Sequence, residues 1–462
     1  MLFSSLTFLY FFLPAALLCY FIAPKRCKNA VLLLFSLLFY GWGEPKYVFL
    51  MAFTVVFGWL AGLMIERRRG ESSGKLWLWA SVGTVLLLLG LFKYADFFIL
   101  SFSAATGLSL PLLRLALPVG ISFYSFQLIS YLADVYRGAV PAQRSLINLS
   151  TYICMFPQLI AGPIVRYADI APGLESREHS FDMAASGIGR FMTGLGKKLI
   201  IANSMAVLCS AFKASGEESV LFYWLYALGF TLQIYYDFSG YSDMAIGLGR
   251  ILGFEFMENF SYPYISRSIT EFWRRWHISL GSWFRDYVYI PLGGNRVTKP
   301  RWFFNIFLVW ACTGFWHGAD WNFILWGLYF ALLLVIEKLW LLKKLEKSRV
   351  FSRIYTMLLV TAGFVIFDAN GMGEAISRLS GMLGFGGAAL YGPESLYYLR
   401  SYSLLLALAI IGATPIVKLG LERISKFGSF AALQPLACLA LLIICTAYLV
   451  DGSFNPFLYF RF

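Results

Sequence analysis

The sequence predicts an all-α, polytopic membrane protein. Of its 462 residues, 59% are hydrophobic and only 14% are charged, whereas about 25% of an average soluble domain is charged. Apolar runs of roughly 20 residues, the length that crosses a bilayer as a helix, recur along the chain. Backbone groups in hydrocarbon must be hydrogen-bonded within their own segment, which favours helices. The short alternating segments of a transmembrane β-barrel are not seen.

The apolar runs follow one another with short polar connections. Some are too short to span a membrane, so we expect about 11 membrane-spanning helices together with re-entrant or interfacial helices. Because no soluble segment of useful size interrupts the runs, residues 1–462 are predicted to form a single membrane domain. The runs lie at about 5–23, 29–43, 46–65, 76–93, 95–112, 118–134, 147–165, 183–212, 219–238, 302–316, 319–340, 352–369, 402–420 and 431–450.

The net charge of +13 is interpreted as a membrane feature and not as a nucleic-acid footprint. The basic residues mostly flank apolar runs, where they set orientation and meet anionic lipid headgroups. Lys25, Arg26 and Lys28 follow the first run, and the basic residues at 67–69 follow the third. Basic loops face the cytoplasm, so the N-terminus is predicted to be extracytoplasmic. The seven cysteines are scattered without metal-binding spacing, and no metal site is expected.

Proline and glycine residues interrupt several apolar runs beside polar side chains. Broken backbone at membrane depth is tolerated where it is buried in protein or lines a cavity. Gln158 and Asp237 lie beside such points and are candidates for facing a cavity, or for hydrogen bonding between helices with no further role. The predicted breaks are Pro118–Gly120, Pro157, Gly162–Pro163 and Gly240.

Residues 271–327 carry the strongest signal for chemistry. They contain two of the three histidines, His277 and His317, each next to a tryptophan. Imidazole exchanges a proton near neutral pH, and an ionisable group among membrane aromatics indicates function. A single buried histidine is more often a structural hydrogen-bonding residue, but two in one short aromatic region favour a functional site. His179 lies in a polar stretch and is interpreted as a solvated loop residue.

The segment 271–287 has helical phasing, with one aromatic face. Arg274, Arg275 and Arg285 lie off that face, where they meet headgroups or an anionic ligand. His277 borders the apolar face and is predicted to point inward. A break follows at 291–295, and His317 is predicted at a helix junction.

The chemistry that these histidines suit is acyl transfer. The sequence contains no GxSxG elbow and no nucleotide-binding glycine loop. A histidine base without a protein nucleophile suits direct transfer to a hydroxyl, because the base removes the hydroxyl proton as the oxygen attacks a thioester carbonyl. Asp320 follows His317 at a spacing that gives only weak support for an imidazole–carboxylate pair.

The stretch FWRRWHISLGSWFRDYVYIPLGGNR at 272–296 and the stretch FWHGADWNFILWGLYF at 315–330 resemble the membrane-bound O-acyltransferase family. Within it, the resemblance is to the bacterial branch that acetylates alginate and related polysaccharides. It covers nearly the whole chain, and the motifs are specific in combination. The others are YGWGEPKY at 40–47, LPVGISFYSFQ at 117–127, FPQLIAGPIVRY at 156–167, GLGKKLIIAN at 194–203, YYDFSGYSDMAIGLGR at 235–250 and NPFLYFRF at 455–462.

The resemblance implies a ring of tilted helices around a central tunnel, in which a cytoplasmic acyl donor meets an extracytoplasmic acceptor. It implies a bacterial cytoplasmic membrane location, separate extracytoplasmic hydrolase-like acetyltransferase partners and a polysaccharide acceptor. His317 matches the family's catalytic histidine and His277 its second functional position. The donor is expected to be acetyl-CoA or an acyl-protein, with no tightly bound cofactor. The remaining candidate substrate-binding residues are Arg274, Arg275, Trp276, Arg285, Trp316, Asp320, Asn322, Gln158 and Asp237.

Two other functions remain open from the sequence. A related membrane subunit transfers D-alanine from a carrier protein to teichoic acid, and a neighbouring gene for such a carrier would favour that activity. A transporter without covalent chemistry is the other alternative. The paired histidines and the lack of a visible internal repeat count against it.

Overall fold

A computed structural model describes residues 1–160, 162–424 and 433–452 of the chain. The prediction of an all-α protein is confirmed, since the described residues are mainly helical and hold only one isolated β-bridge, between Ser219 and Ala389. The motif at 455–462 lies outside the described residues.

The α-helices vary from one turn to 32 residues. Five short π-helical segments extend or join them, at Phe8–Phe12, Gly90–Tyr94, Lys197–Ala202, Arg285–Tyr289 and Glu337–Leu341. The α-helices are α1 (Leu13–Ile22), α2 (Lys28–Gly43), α3 (Tyr47–Arg67), α4 (Ser72–Leu89), α5 (Ala95–Thr106), α6 (Ile121–Arg137), α7 (Leu146–Cys154), α8 (Phe156–Leu159), α9 (Tyr167–Glu175), α10 (Phe181–Gly196), α11 (Asn203–Ala214), α12 (Val220–Ile251), α13 (Ile269–Arg275), α14 (Ile278–Phe284), α15 (Lys299–His317), α16 (Trp321–Ile336), α17 (Leu342–Leu345), α18 (Arg349–Asp368), α19 (Met372–Met382), α20 (Pro393–Gly412), α21 (Ile416–Ile424) and α22 (Leu433–Asp451).

Within the described ranges, seven helices are long and apolar enough to cross a membrane, which confirms a multi-pass membrane protein. The sequence predicts about 11 spans. Part of the difference lies in the apolar run at 147–165, which divides into the short helices α7 and α8. The seven are Tyr47–Arg67, Ser72–Thr106, Phe181–Ala214, Trp321–Leu345, Arg349–Asp368, Pro393–Gly412 and Leu433–Asp451.

The predicted breaks have different outcomes. At Pro118–Gly120 the backbone does turn, since Gly120 has φ +78° directly before α6. The prediction of a break at Gly240 is wrong, because α12 continues through it without interruption. A Cβ at Gly240 would lie 2.8 Å from the carbonyl oxygen of Gly194. The glycine therefore serves close packing between α10 and α12, the role that small residues have between membrane helices.

Contacts divide the chain into two units, Met1–Phe191 with Ser242–Met257, and Met192–Tyr241 with Glu258–Phe462. In the first, α3 packs on α6, α4 and α7. The second contains both candidate histidines and a core rich in aromatic side chains. The single-domain organisation stays a prediction.

Within the second unit, α15 and α16 form a tightly packed helical hairpin. A Cβ at Gly314 would lie 2.1 Å from the carbonyl oxygen of Phe323, and one at Gly327 would lie 2.2 Å from that of Trp310. Only glycine lets the two backbones approach this closely. The close contact fixes the end of α15, where His317 lies.

Candidate active site

Both candidate histidines line one cavity of about 590 Å³ in the second unit. It lies among α13, α14, α15 and α16, and its wall is mainly aromatic and aliphatic with a few polar groups, as in typical ligand pockets. The polar and charged residues of the wall are Thr270, Arg274, His277, Ser282, Arg285, Thr313, His317 and Lys338.

The prediction of one continuous helix over 271–287 is wrong at His277. Helix α13 ends at Arg275, α14 begins at Ile278, and His277 has the left-handed backbone φ +45°, ψ +53°. Such a conformation is uncommon for a residue other than glycine and is found where the surroundings enforce it. Asn259 does so here, since its backbone oxygen accepts from Ile278 N at 3.0 Å and its Oδ1 accepts from Ser279 Oγ at 2.9 Å.

The break turns His277 into the N-cap of α14. Its Nδ1 accepts the backbone N–H of Leu280 at 3.4 Å. A backbone N–H can only donate, so Nδ1 carries no proton and the neutral ring carries its proton on Nε2. Nε2 is buried and has no hydrogen-bond partner among the described residues. The Nε2–H group is therefore a donor available to a ligand.

Burial also fixes the charge of His277. The residue lies outside the seven candidate spans and is 2% exposed. Burial lowers its pKa from 6.5 to about 3, because a charged ring would lose its hydration. At neutral pH the ring is uncharged, which suits it to donate a hydrogen bond and not to act as an acid.

His317 is the last residue of α15 and is 6% exposed. Its ring packs at about right angles against Trp316, Trp326 and Phe367, with centroid separations of 5.1, 5.2 and 5.3 Å. The centroids of the two imidazole rings are 6.5 Å apart. Both groups can therefore contact one small reacting centre.

Cations line the same cavity. Arg274, Arg285 and Lys338 belong to its wall. A second cavity of about 580 Å³ shares Arg285, Tyr289 and Lys338 with the first and adds Lys299. Part of the Arg285 charge is offset by Asp286, whose Oδ1 lies 2.6 Å from Arg285 Nε. The two cavities thus offer adjoining space with a basic wall.

Of the eleven residues singled out from the sequence, five line the cavity: Arg274, Trp276, His277, Arg285 and His317. Trp316 is buried against both imidazoles, with its centroid 5.9 Å from that of His277. Arg275 does not line the cavity, because it pairs with Glu271 at 2.8 Å and donates to the Ser261 carbonyl at 3.1 Å.

The other four have local partners. Asp320 is exposed and caps α16, its Oδ1 accepting from Trp321 N at 2.5 Å. Asn322 donates to the Ala369 carbonyl at 2.7 Å. Asp237 forms an ion pair with Lys198 at 2.6 Å, with both side chains at most 3% exposed. In the first unit, Gln158 donates to the Tyr152 carbonyl at 2.5 Å.

Two polar groups of the cavity wall, on Lys338 and Trp273, were not among the predicted site residues. Lys338 lies inside a long apolar run, where a lysine is costly unless it faces a cavity. Trp273 belongs to the aromatic face of the segment 271–287. Its indole N–H is buried, has no partner among the described residues, and belongs to a side chain that lines the cavity.

Comparisons with known proteins identify the family of the chain. The model of the membrane-bound O-acyltransferase family matches residues 139–371, which include both histidines. The chain is 39% identical to a probable alginate O-acetylase of Azotobacter vinelandii over 100% of both chains. It is 34% identical to a peptidoglycan O-acetyltransferase of Helicobacter pylori, over 84% of this chain and 81% of that one. It is 30% identical to a teichoic acid D-alanyltransferase of Bacillus subtilis, over 54% of this chain and 69% of that one.

Proposed function

Because the chain belongs to the membrane-bound O-acyltransferase family, we propose that it moves an acetyl group from a cytoplasmic thioester donor across the membrane for the O-acetylation of an exported polysaccharide. That it is a multi-pass membrane O-acyltransferase follows from the family and the apolar helices. Relatives named for alginate and peptidoglycan O-acetylation support the acetyl group and the polysaccharide. The observation that carries the proposal is the convergence of His277 and His317 on one cavity.

His317 is the base in this mechanism. Its imidazole removes the proton of the acceptor hydroxyl while the hydroxyl oxygen attacks the thioester carbonyl carbon. The new C–O bond forms, the tetrahedral intermediate collapses, and the C–S bond breaks. The leaving thiolate takes the proton from the His317 imidazolium. A relay, in which His317 itself carries the acetyl group before the acceptor takes it, is the alternative role for this residue.

His277 stabilises the developing oxyanion. Its Nε2–H is buried, protonated in the neutral ring and without a protein partner among the described residues. A fixed donor aimed at the carbonyl oxygen lowers the barrier most where negative charge develops. The low pKa of His277 keeps this donor in one protonation state at neutral pH.

The basic wall suits a phosphate-bearing donor. Arg274, Arg285, Lys299 and Lys338 line the two adjoining cavities, and guanidinium and ammonium groups pair well with phosphate. Acetyl-CoA and a phosphopantetheine-bearing acyl-protein both have this chemistry. To distinguish the two donors, purified protein in liposomes is given acetyl-labelled CoA or the acetyl-labelled protein. The true donor is the one from which label is released or transferred.

We further propose a bacterial cytoplasmic membrane location with the N-terminus outside, and extracytoplasmic acetyltransferase partners that complete transfer to the polymer. The basic loop at 25–28 supports this orientation. Reporter fusions at the N-terminus and in the connection at 68–71 test it, with activity on opposite sides expected.

The deciding experiment is complementation of a strain that lacks this gene. Wild-type protein is expected to restore polymer acetylation, and His317→Ala is expected to restore none while accumulating in membranes at the wild-type level. Acetylation by His317→Ala would remove this residue from the mechanism. Labelled D-alanine on teichoic acid, with no acetyl label on any polymer, would favour the alternative activity.

A further inference from the structure

A second basic site lies in the first unit, at the end of α1. The Tyr20 ring is 1% exposed. Lys28 Nζ lies 4.5 Å from its centroid, and the Arg177 guanidinium carbon lies 5.7 Å from it. The same guanidinium lies 4.3 Å from the ring centroid of Phe254. Two cations from distant parts of the chain are thus held over aromatic faces, an arrangement that attracts and orients them.

His179 completes the group, which we name the Tyr20 cluster (Tyr20, Lys28, Arg177 and His179). The Tyr20 hydroxyl donates to the Leu252 carbonyl at 2.8 Å. It therefore accepts from His179 Nε2, which lies 3.0 Å away. The prediction of His179 as a solvated loop residue is thus incomplete. It is exposed, but its ring has a fixed place.

The positive charge of the Tyr20 cluster is not balanced by an ion pair among the described residues. Among the described residues, no carboxylate forms an ion pair with Lys25, Lys28 or Arg177. Burial lowers the pKa of Lys28, and Arg177 and Lys25 lower it further, so the cations repel one another. Such a concentration of like charge is stabilised by an external anion.

The surface beside the cluster is apolar. Leu18, Phe21 and Ile22, in the last two turns of α1, are 63%, 47% and 75% exposed. Lys28 Nζ lies 5.1 Å from the Phe21 ring, so apolar and basic surfaces adjoin. A free phosphate would contact only the cations, whereas a phospholipid would contact the cations with its phosphate and the apolar surface with its acyl chains.

We propose that the Tyr20 cluster binds the phosphate of an anionic phospholipid, whose acyl chains lie along the exposed end of α1. The shared chemistry is a phosphate held by an ammonium and a guanidinium group. The apolar neighbours select a lipid over the free anion. None of its four residues lines the histidine cavity, and the proposal does not depend on the acyl donor or acceptor.

The test uses purified full-length protein in a neutral detergent. Three probes are titrated: phosphatidylglycerol, phosphatidylcholine and inorganic phosphate. Binding is measured by native mass spectrometry and by the shift of the unfolding temperature. We expect phosphatidylglycerol to be retained and to raise the unfolding temperature. Phosphatidylcholine and inorganic phosphate are expected to do neither.

The variant Lys28→Gln/Arg177→Gln is expected to bind phosphatidylglycerol at least 10-fold more weakly. The matched control Arg68→Gln/Lys75→Gln removes two exposed cations, one directly after α3 and one in the first turn of α4, and is expected to bind like wild type. If the double variant does not fold, Lys28→Gln alone is used, with a several-fold loss expected. Equal loss in the control, unchanged binding in the variant, or equal stabilisation by inorganic phosphate would each overturn the proposal.

Discussion

The two histidines of the cavity are held in different ways. His277 lies between two short helices in a left-handed conformation, and hydrogen bonds from Leu280 and around Asn259 fix its position and tautomer. His317 ends a 19-residue helix and is surrounded by the rings of Trp316, Trp326 and Phe367. The hydrogen bonds of His277 fix which of its ring nitrogens carries the proton, whereas the aromatic packing around His317 fixes the position of its ring.

The difference indicates a division of roles. An oxyanion donor must keep its proton throughout the reaction, and the N-cap contact of His277 ensures that. A general base must gain and lose a proton, so its ring needs a fixed position while its protonation changes. The arrangement therefore supports the assignment of His317 as base and His277 as donor.

The largest expected effects are those of substituting the two histidines, and glutamine and alanine are expected to differ at His277 but not at His317. Glutamine places an N–H near the position of the imidazole Nε2 but cannot act as a base. At His317, both substitutions are expected to lower transfer by about 10²–10⁴-fold. At His277, alanine is expected to lower it by about 10²–10³-fold and glutamine by clearly less. Turnover of labelled donor in liposomes measures this.

His179→Gln serves as the control for the histidine substitutions and is expected to retain transfer. Equal losses for glutamine and alanine at His277 would contradict the donor role. Recovery of transfer in His317→Gln would contradict the role of His317 as base and would assign it the role of hydrogen-bond donor instead.

The ion pair behind His277 should matter more for stability than any charge near His317. Phe238 packs on the His277 ring with centroids 4.6 Å apart, and its neighbour Asp237 pairs with Lys198 in the interior. Asp237→Asn removes the carboxylate charge that pairs with the buried Lys198, which destabilises by about 3–5 kcal/mol. Thermal unfolding in detergent measures the loss.

Asp243→Asn, on the same helix, is the matched control. Asp243 pairs with Arg190, whose side chain is 29% exposed, so water compensates part of the lost interaction. We expect a clearly smaller loss of stability than for Asp237→Asn. Equal losses would show that burial of the Lys198–Asp237 pair is not the cause.

The pH dependence of stability should come in part from His277. Its pKa is about 3 in the folded protein and 6.5 as the ordinary value, so the unfolded chain binds more protons between these values. This group's contribution is complete above pH 6.5 and is lost as pH falls, by about 2 kcal/mol at pH 5. Unfolding temperatures at pH 7 and pH 5 should differ less in His277→Gln than in wild type. An unchanged difference would contradict the buried neutral ring.

The smallest expected effect concerns the carboxylate nearest to His317 along the chain. Asp320 caps α16 and is exposed, so Asp320→Asn, which keeps a capping oxygen, should leave stability nearly unchanged. Asp320→Ala should cost about 1 kcal/mol. Both substitutions should leave the pH profile of transfer unchanged, because the Asp320 carboxylate bonds to the N-terminus of α16. A shifted profile in Asp320→Asn would show that Asp320 acts on His317 after all.

The features that could be predicted from the sequence are those that depend on residues close together in the chain. The hairpin that ends α15 at His317 follows from two apolar runs and the intervening Gly318. The concentration of histidine and tryptophan in one stretch led directly to the cavity. The all-α class follows from the apolar runs themselves.

The features that sequence missed depend on distant partners. Apolar periodicity continues across 276–277, so the break at His277 is invisible without Asn259, which lies in a different segment. For Asp237 the sequence leaves open a cavity-facing position or a bond between helices, and only the position of Lys198 in another helix shows its partner. Gly240 signals either a break or a close contact, and only the position of Gly194 decides between them.

The glycine contacts of the α15–α16 hairpin also bear on how the protein is made. Gly314 and Phe323 lie nine residues apart, and Trp310 and Gly327 seventeen. These contacts close a short loop between successive helices and so form early. During synthesis the hairpin can therefore pair before α18 has left the ribosome. His317 would then be in position before Phe367 arrives to enclose it, so a released fragment of the protein that ends near residue 345 should already contain the paired helices.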